Sequence, residues 1–499
     1  MTANLHTVHV RVNDATTSQP TPVRLRITAA EGNYYPPLGR LAEFATERGC
    51  DVGGNLRSGE KQFAYIDGSC EVPLPAGQIV VEIAKGPEYR PVRSEQVLAP
   101  GKLALRFTIE RWSDARPQGW YAGDTRCHYL SPHAALLEAA AEDVAVVNVL
   151  AEQQPARRQE KALTPPSIPN ILEFSGQQPA LARPGHLVVV NTHNYHPVLG
   201  SLGLLNCHRV VYPLCFGGDV GPDDWSLADW CDQCHRKGGL VTWTCWSNQE
   251  SHGEALANVI LGRVDALEET SCAWPNHAPE LWYRLLNSGC RVPLVAGSGK
   301  RGNADLLGSP RTYARLREGE EFTYKNWIEA VRAGRVFMTN GPLMTFTVNE
   351  QDPGGVVKLT GNRPTVHVRA TARGWTPFER LEIVFNGDAL VGTETAGTAP
   401  VTASVEGNLP LPGGGWLAAR CWGRTRQGET IAAHTSPIYI EVEGQPFQPD
   451  LITVTHLIEH LDRTRHWLDH GACFETARQR EHLTNIVAEA RAELVKRAK

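Results

Sequence analysis

Between residues 117 and 340 the chain alternates short, nearly unbroken apolar runs with stretches of helical periodicity. This pattern limits the available folds more than any other feature. The runs cover 144–150, 186–191, 239–243, 264–267 and 292–296, and helix-patterned stretches at 134–141, 226–231, 255–261 and 281–286 precede or separate them. Repeated strand–helix units build a mainly parallel sheet, and strands apolar on both faces must be covered on both, as in a barrel or a doubly wound sheet. Such folds bring the carboxyl ends of their strands to one rim, where sites form. Every run here ends in polar residues: Glu152, then His193 and His196, then Thr244 and Cys245, then Glu268 and Glu269, then Ser298 and Lys300. These ends are expected to meet in one cleft with Asp124 and His128, which lie upstream of the first run.

The flanking regions read differently. Residues 1–112 hold short period-two runs at 8–12, 23–28, 63–68, 79–84 and 103–109, separated by Gly- and Pro-containing turns, which predicts a β-sandwich. Runs at 366–372, 381–387, 416–422 and 438–442 predict a second sandwich over 344–445. Residues 446–499 are helical in pattern, with one stripe at Leu457, Leu461 and Leu468, another at Ile486, Val487, Ala490 and Leu494, and Gly471 between them. His456, His460, His466 and His470 read as surface residues of the first helix rather than metal ligands.

A chain of 499 residues exceeds one core, and about 150 residues per domain suggests roughly three. A net charge of −5 over this length predicts neither nucleic-acid nor membrane affinity. No run of about 18 apolar residues is present, and the first residues lack the basic and apolar regions of a signal peptide, so a cytoplasmic location is expected. Of twelve cysteines, eight fall between Cys127 and Cys290 without framework spacing, which favours reduced, buried thiols. Cys231 and Cys234 form a lone C-x-x-C inside a helical pattern, with no second pair to complete a zinc site.

The stretch Gly119-Trp120-Tyr121-Ala122-Gly123-Asp124-Thr125-Arg126-Cys127-His128-Tyr129 resembles the first metal-binding motif of the polymerase-and-histidinol-phosphatase (PHP) superfamily, in particular its CehA/McbA-type metallohydrolases. Further similar segments begin at Lys237, Gly297, Gly308 and Asn326, and the resemblance covers most of residues 1–445. The segment from Leu74 to Arg90 is similar to carboxypeptidase-regulatory-like accessory domains. The implied architecture is multidomain α/β plus all-β: a sandwich (1–112), a central PHP-like (β/α) barrel (113–343), a second sandwich (344–445) and a helical tail (446–499). This order resembles bacterial members of the group.

The resemblance implies a cleft of histidines and carboxylates around divalent metals that acidify water and polarise a scissile bond. The motif usually reads Gly-Asp-x-His-x-His, and here Arg126 stands at the first histidine. Glu152 falls in the second motif. In the third, His193 takes the glutamate position and Ser201 the histidine; an alternative register uses Glu173 and His186. Cys245 replaces a later histidine, and Gly299 replaces a carboxylate. Asp124, His128, Glu152, His193 and Cys245 remain as candidate ligands for one zinc or manganese ion, or for none, since a guanidinium at 126 repels a cation.

Three readings stay open. The first is a metal-dependent ester or phosphoester hydrolase, with Glu152 as ligand or general base and Arg126 or Lys300 clamping an anionic substrate. The second is a catalytically silent member that binds a small molecule or carbohydrate, or serves assembly, with homo-oligomers compatible. The third is metal-free acid–base chemistry by Asp124, His128 and Glu152.

Overall fold

The computed structural model describes residues 5–47, 52–154, 157–159, 162–164, 167–244, 253–270, 272, 280–361, 363–395, 400–425 and 428–499. The protein is a mixed α/β chain, mostly strands, in several sheets with a C-terminal helical region. Eight strands come first: β1 (Leu5–Asp14), β2 (Val23–Ala29), β3 (Asn55–Ser58), β4 (Lys61–Ile66), β5 (Ser69–Pro75), β6 (Gly77–Ala84), β7 (Val92–Leu98) and β8 (Ala104–Ile109). They form two sheets, ordered β5-β1-β8 and β3-β4-β2-β6-β7. Alternation turns Val10 and Val12 of one sheet, and Leu25, Ile27, Val81 and Ile83 of the other, into one shared core, as in a sandwich.

The middle of the chain follows as β9 (Trp120–Cys127), α1 (Pro132–Ala141), β10 (Val146–Glu152), β11 (Arg157–Gln159), β12 (Ala162–Thr164), β13 (Leu181–Arg183), β14 (His186–His196) and β15 (Gly200–Leu205). Next come α2 (Leu227–Arg236), β16 (Leu240–Thr244), α3 (Gly253–Ile260), β17 (Ala266–Glu269), α4 (Glu280–Asn287), β18 (Leu294–Ala296), β19 (Arg311–Arg315), α5 (Tyr324–Arg332) and β20 (Val336–Thr339). Their sheet runs β18-β17-β16-β15-β14-β10-β9-β19-β20. β9, β10 and β14 are mutually parallel, as are β16, β17 and β18.

β15 breaks the parallel pattern expected from the sequence, pairing antiparallel with both β14 and β16. Only residues 197–199 join it to β14, and a parallel crossover needs about a dozen residues, so a hairpin is the only connection that fits. The sheet curls until its β18 edge returns to β9. There the Gly299 N–H donates to the Arg126 carbonyl (2.9 Å) and the His128 N–H to the Lys300 carbonyl (2.8 Å). Gly297 permits this approach, because a Cβ there would lie 2.6 Å from Thr125 Oγ1 and 2.7 Å from Arg126 N.

The remaining strands are β21 (Leu343–Val348), β22 (Val356–Leu359), β23 (Thr365–Gly374), β24 (Arg380–Phe385), β25 (Asp388–Glu394), β26 (Val401–Pro410), β27 (Gly415–Arg424), β28 (Thr430–Thr435) and β29 (Ile438–Val442). β21-β23-β26 form one sheet, packed through Phe346, Val366 and Val368 on Leu381, Ile383 and Leu417 of the other. That second sheet is not separate. β28 pairs with β20, so the large sheet continues through β28-β27-β24-β25.

Two helices end the chain, α6 (Leu451–His470) and α7 (Ala477–Arg497). Asp450 caps the first by accepting from the Ile452 and Thr453 N–H groups, and Thr476 with Gln479 forms a capping box on the second. Their stripes, including Leu457, Leu461, Ile486 and Leu494, enter the same core as Trp230, Leu256 and Trp282 of α2–α4. A polar clasp holds the turn between them. His196 bonds Asp223 (2.7 Å), whose other oxygen accepts from the Cys473 N–H (2.6 Å). The ten described cysteines are free thiols, and eight are buried. Among the described residues no helix is long and apolar enough to cross a membrane.

Candidate functional site

Strand ends do bring reactive side chains together. His128 follows β9, Glu152 ends β10 and His193 lies near the carboxyl end of β14, where Glu152 and His193 are direct register partners across the parallel pair. Glu152 Oε2 lies 2.8 Å from His193 Nδ1 and 3.8 Å from His128 Nδ1. One potential ligand atom from each residue falls within 4.8 Å of the other two, and all three residues are buried. Ligand atoms sharing one ion through bonds of about 2.0–2.2 Å lie at most about 4.4 Å apart, so these three would draw in slightly around an ion. Among the described residues this is the one such group of three.

Each member is oriented by a neighbour. His128 Nδ1 donates to the Leu150 carbonyl at 3.1 Å. This leaves the lone pair on Nε2, which is buried and has no hydrogen-bond partner among the described residues. His193 Nε2 meets the Thr244 hydroxyl at 2.8 Å, and Thr244 is 3.0 Å from the Ser201 hydroxyl. Arg301 grips Glu152 with both ends of its guanidinium, at 2.9 Å to Oε1 and 2.5 Å to Oε2, and also bonds the Tyr129 hydroxyl at 3.1 Å.

Charge states follow from these contacts. Burial, reinforced by Arg301, holds His128 well below the usual imidazole range, and burial also lowers His193 despite the carboxylate beside it. Burial pushes Glu152 up, but the hydrogen bonds from His193 and Arg301 outweigh it and hold the carboxyl far below its usual range. Two neutral imidazoles and one carboxylate are the forms in which these groups bind metals.

The other sequence candidates lie outside this group. Asp124 is buried, and its carboxylate accepts from the N–H groups of Arg126 (3.1 Å), Ser298 (2.9 Å) and Gly308 (2.8 Å). It therefore ties β9 to the loops after β18, although burial still pushes it up to about 6. Arg126 turns to Glu268, Nε to Oε1 at 2.5 Å, with Thr125 bonded to the second oxygen at 2.6 Å.

Lys300, expected as a substrate clamp, is fully buried and points to the Asp305 carbonyl (2.7 Å) and Glu138 (3.5 Å). Its neighbour Arg301, which is partly exposed, faces the cleft instead. Two adjacent basic residues after a strand give no sequence signal as to which one turns inward. Cys245 lies outside the described residues. The alternative register through His186 fails, because that residue starts β14 and stands seven residues before His193, roughly 23 Å along the strand.

Fold and site together define a strand-rich α/β protein with a buried His–Glu–His cluster that could hold a metal ion. No family model matches the chain, and no curated protein or solved structure matches it.

Proposed function

We propose that this chain is a PHP-like, CehA/McbA-type scaffold whose middle sheet is a distorted barrel. In this reading its cleft holds one divalent metal, zinc or manganese, on His128, Glu152 and His193, and hydrolyses an ester or phosphoester. The observation that carries it is the His–Glu–His group, with ligand atoms within 4.8 Å and an unpartnered His128 Nε2. The return of the β18 edge to β9 supports the barrel. A divalent ion supplies Lewis acidity, acidifying water and polarising an ester oxygen.

The chain's own groups do the rest. His193 would ligate through Nδ1 as its Nε2–H tautomer, with the Nε2–H donated to the Thr244 hydroxyl. Thr244 holds the His193 ring, and Arg301 with the Tyr129 hydroxyl presents donors to an anionic substrate. Asp124 and Arg126, bound respectively by main chain and by Glu268, do not extend the group to a second metal.

One observation favours the silent alternative, in which the cleft only binds a ligand. The Arg301 fork, the Tyr129 hydroxyl (3.4 Å) and His193 together engage both Glu152 oxygens. Elemental analysis of protein purified without chelator decides between the two. Stoichiometric metal in the wild type that His128→Ala removes supports the hydrolase and justifies an esterase and phosphatase screen. No metal after dialysis against zinc and manganese leaves the binding scaffold.

A further inference from the structure

A second site stands apart from the cleft. A cavity of about 650 Å³ opens where the N-terminal sandwich, the middle sheet and the C-terminal sandwich meet, a size typical of small-molecule sites. Its cationic wall is Arg24, Lys61, Lys85 and Arg311, against the two carboxylates of Glu142 and Glu429.

Two of these cations are poorly matched. Lys85 is 4% exposed and donates to the Pro22 (2.9 Å) and Ala140 carbonyls. Arg311 is 3% exposed and donates to the carbonyls of Gly308 (2.6 Å) and Glu142 (2.9 Å). Among the described residues neither has a carboxylate within 4.0 Å. The carboxylates whose fields reach Lys85 are already paired, Asp143 with Arg111 (2.8 Å) and Arg116 (2.9 Å) and Glu142 with Arg24. Arg24 does pair with Glu142 (3.3 Å), yet its Nε is buried without a hydrogen-bond partner among the described residues.

Buried cations are costly unless an opposite charge compensates them, and each of these retains unused donors at the cavity wall. Beside them the wall is aromatic, with Phe63, Tyr89 and a half-buried Trp375. A flat ring packs on such faces. We propose that this junction binds a small molecule carrying a phosphate or carboxylate group on a flat ring.

The test titrates phenylphosphonate into the full-length protein by calorimetry at constant ionic strength. Methylphosphonate and phenol are the controls. Saturable binding is expected, at least tenfold tighter than either control. Trp375→Ala and Lys61→Glu should each weaken it tenfold or more, Lys85→Met should abolish it, and Arg301→Ala in the cleft should leave it unchanged. If Lys85→Met does not fold, Lys61→Glu decides, since that side chain is 55% exposed at the rim. Absence of saturable binding, phenol binding as tightly, or binding lost in Arg301→Ala but kept in Trp375→Ala would each overturn the proposal.

Discussion

Replacing Arg126 by methionine tests whether this residue is a structural partner of Glu268 or a free cleft cation. Both side chains are almost wholly buried, at 4% and 0% exposure, and their nearest atoms are 2.5 Å apart. Unit charges about 4 Å apart attract by about 4 kcal/mol at an effective dielectric of about 20. Removing one partner from a buried pair costs about 3–5 kcal/mol, mostly because the other is stranded. In Arg126→Met, Glu268 keeps only the Thr125 hydroxyl among the bonds described for it. Urea unfolding followed by tryptophan fluorescence should therefore show a loss of about 3–5 kcal/mol. The double variant Arg126→Met/Glu268→Gln should recover most of it, because the stranded charge is gone. A loss below about 1 kcal/mol, the value for exposed pairs, would refute the reasoning and return Arg126 to the cleft as a ligand clamp.

Three further outcomes are expected. Thr244→Val removes the hydroxyl that orients His193, and on the metal reading it should weaken zinc binding by about 10–100-fold, as measured by chelator competition; unchanged affinity would remove His193 from the ligand set. Gly297→Ala puts a Cβ 2.6 Å from Thr125 Oγ1 and should cost about 1–3 kcal/mol or more, read as a lower melting temperature. The clasp should loosen in acid. Burial keeps His196 below its usual range while its Nδ1 accepts the Val198 and Leu199 N–H groups, so its contribution is complete above about pH 6.5 and is lost as pH falls. Asp223 is also lowered, its hydrogen bond from His196 outweighing burial, so its contribution persists until more acid pH. Amides of α6 and α7 should then exchange about tenfold faster at pH 5 than at pH 7 after intrinsic correction; equal protection at both would rule out the clasp as the anchor.

The sequence pattern was most informative where unbroken apolar runs alternate with helical periodicity. The runs at 144–150, 186–191, 239–243, 264–267 and 292–296 lie in or overlap β10, β14, β16, β17 and β18, and the four helical stretches overlap α1–α4. β15 was not legible, because Gly200, Ser201 and Gly203 interrupt its apolar run and its place depends on a hairpin rather than on periodicity. The rim position of Glu152 and His193 was readable from strand ends alone. Which neighbours engage them was not. Pairings such as Arg126 with Glu268, or Arg301 with Glu152, join residues more than 140 positions apart and depend on how far the sheet curls.

The same pairings bear on how many ions the cleft can take. The strand-end region buries four carboxylates, Asp124, Glu152, Glu268 and Glu269, and sets against them the buried guanidinium of Arg126 and the partly exposed one of Arg301. With His128 and His193 neutral, two negative charges are left uncompensated within this set. One divalent ion would neutralise them, whereas a second would create an equal positive excess in a region where uncompensated charge is costly. On the metal reading, Arg126 supplies in permanent form part of the positive charge that a second ion would bring. The double variant Arg126→His/Glu268→Gln tests this. The exchange keeps the charge sum of the pair while placing an imidazole at position 126, so on the metal reading bound metal should not exceed one per chain. A second equivalent would show that ligand geometry, rather than charge, sets the count.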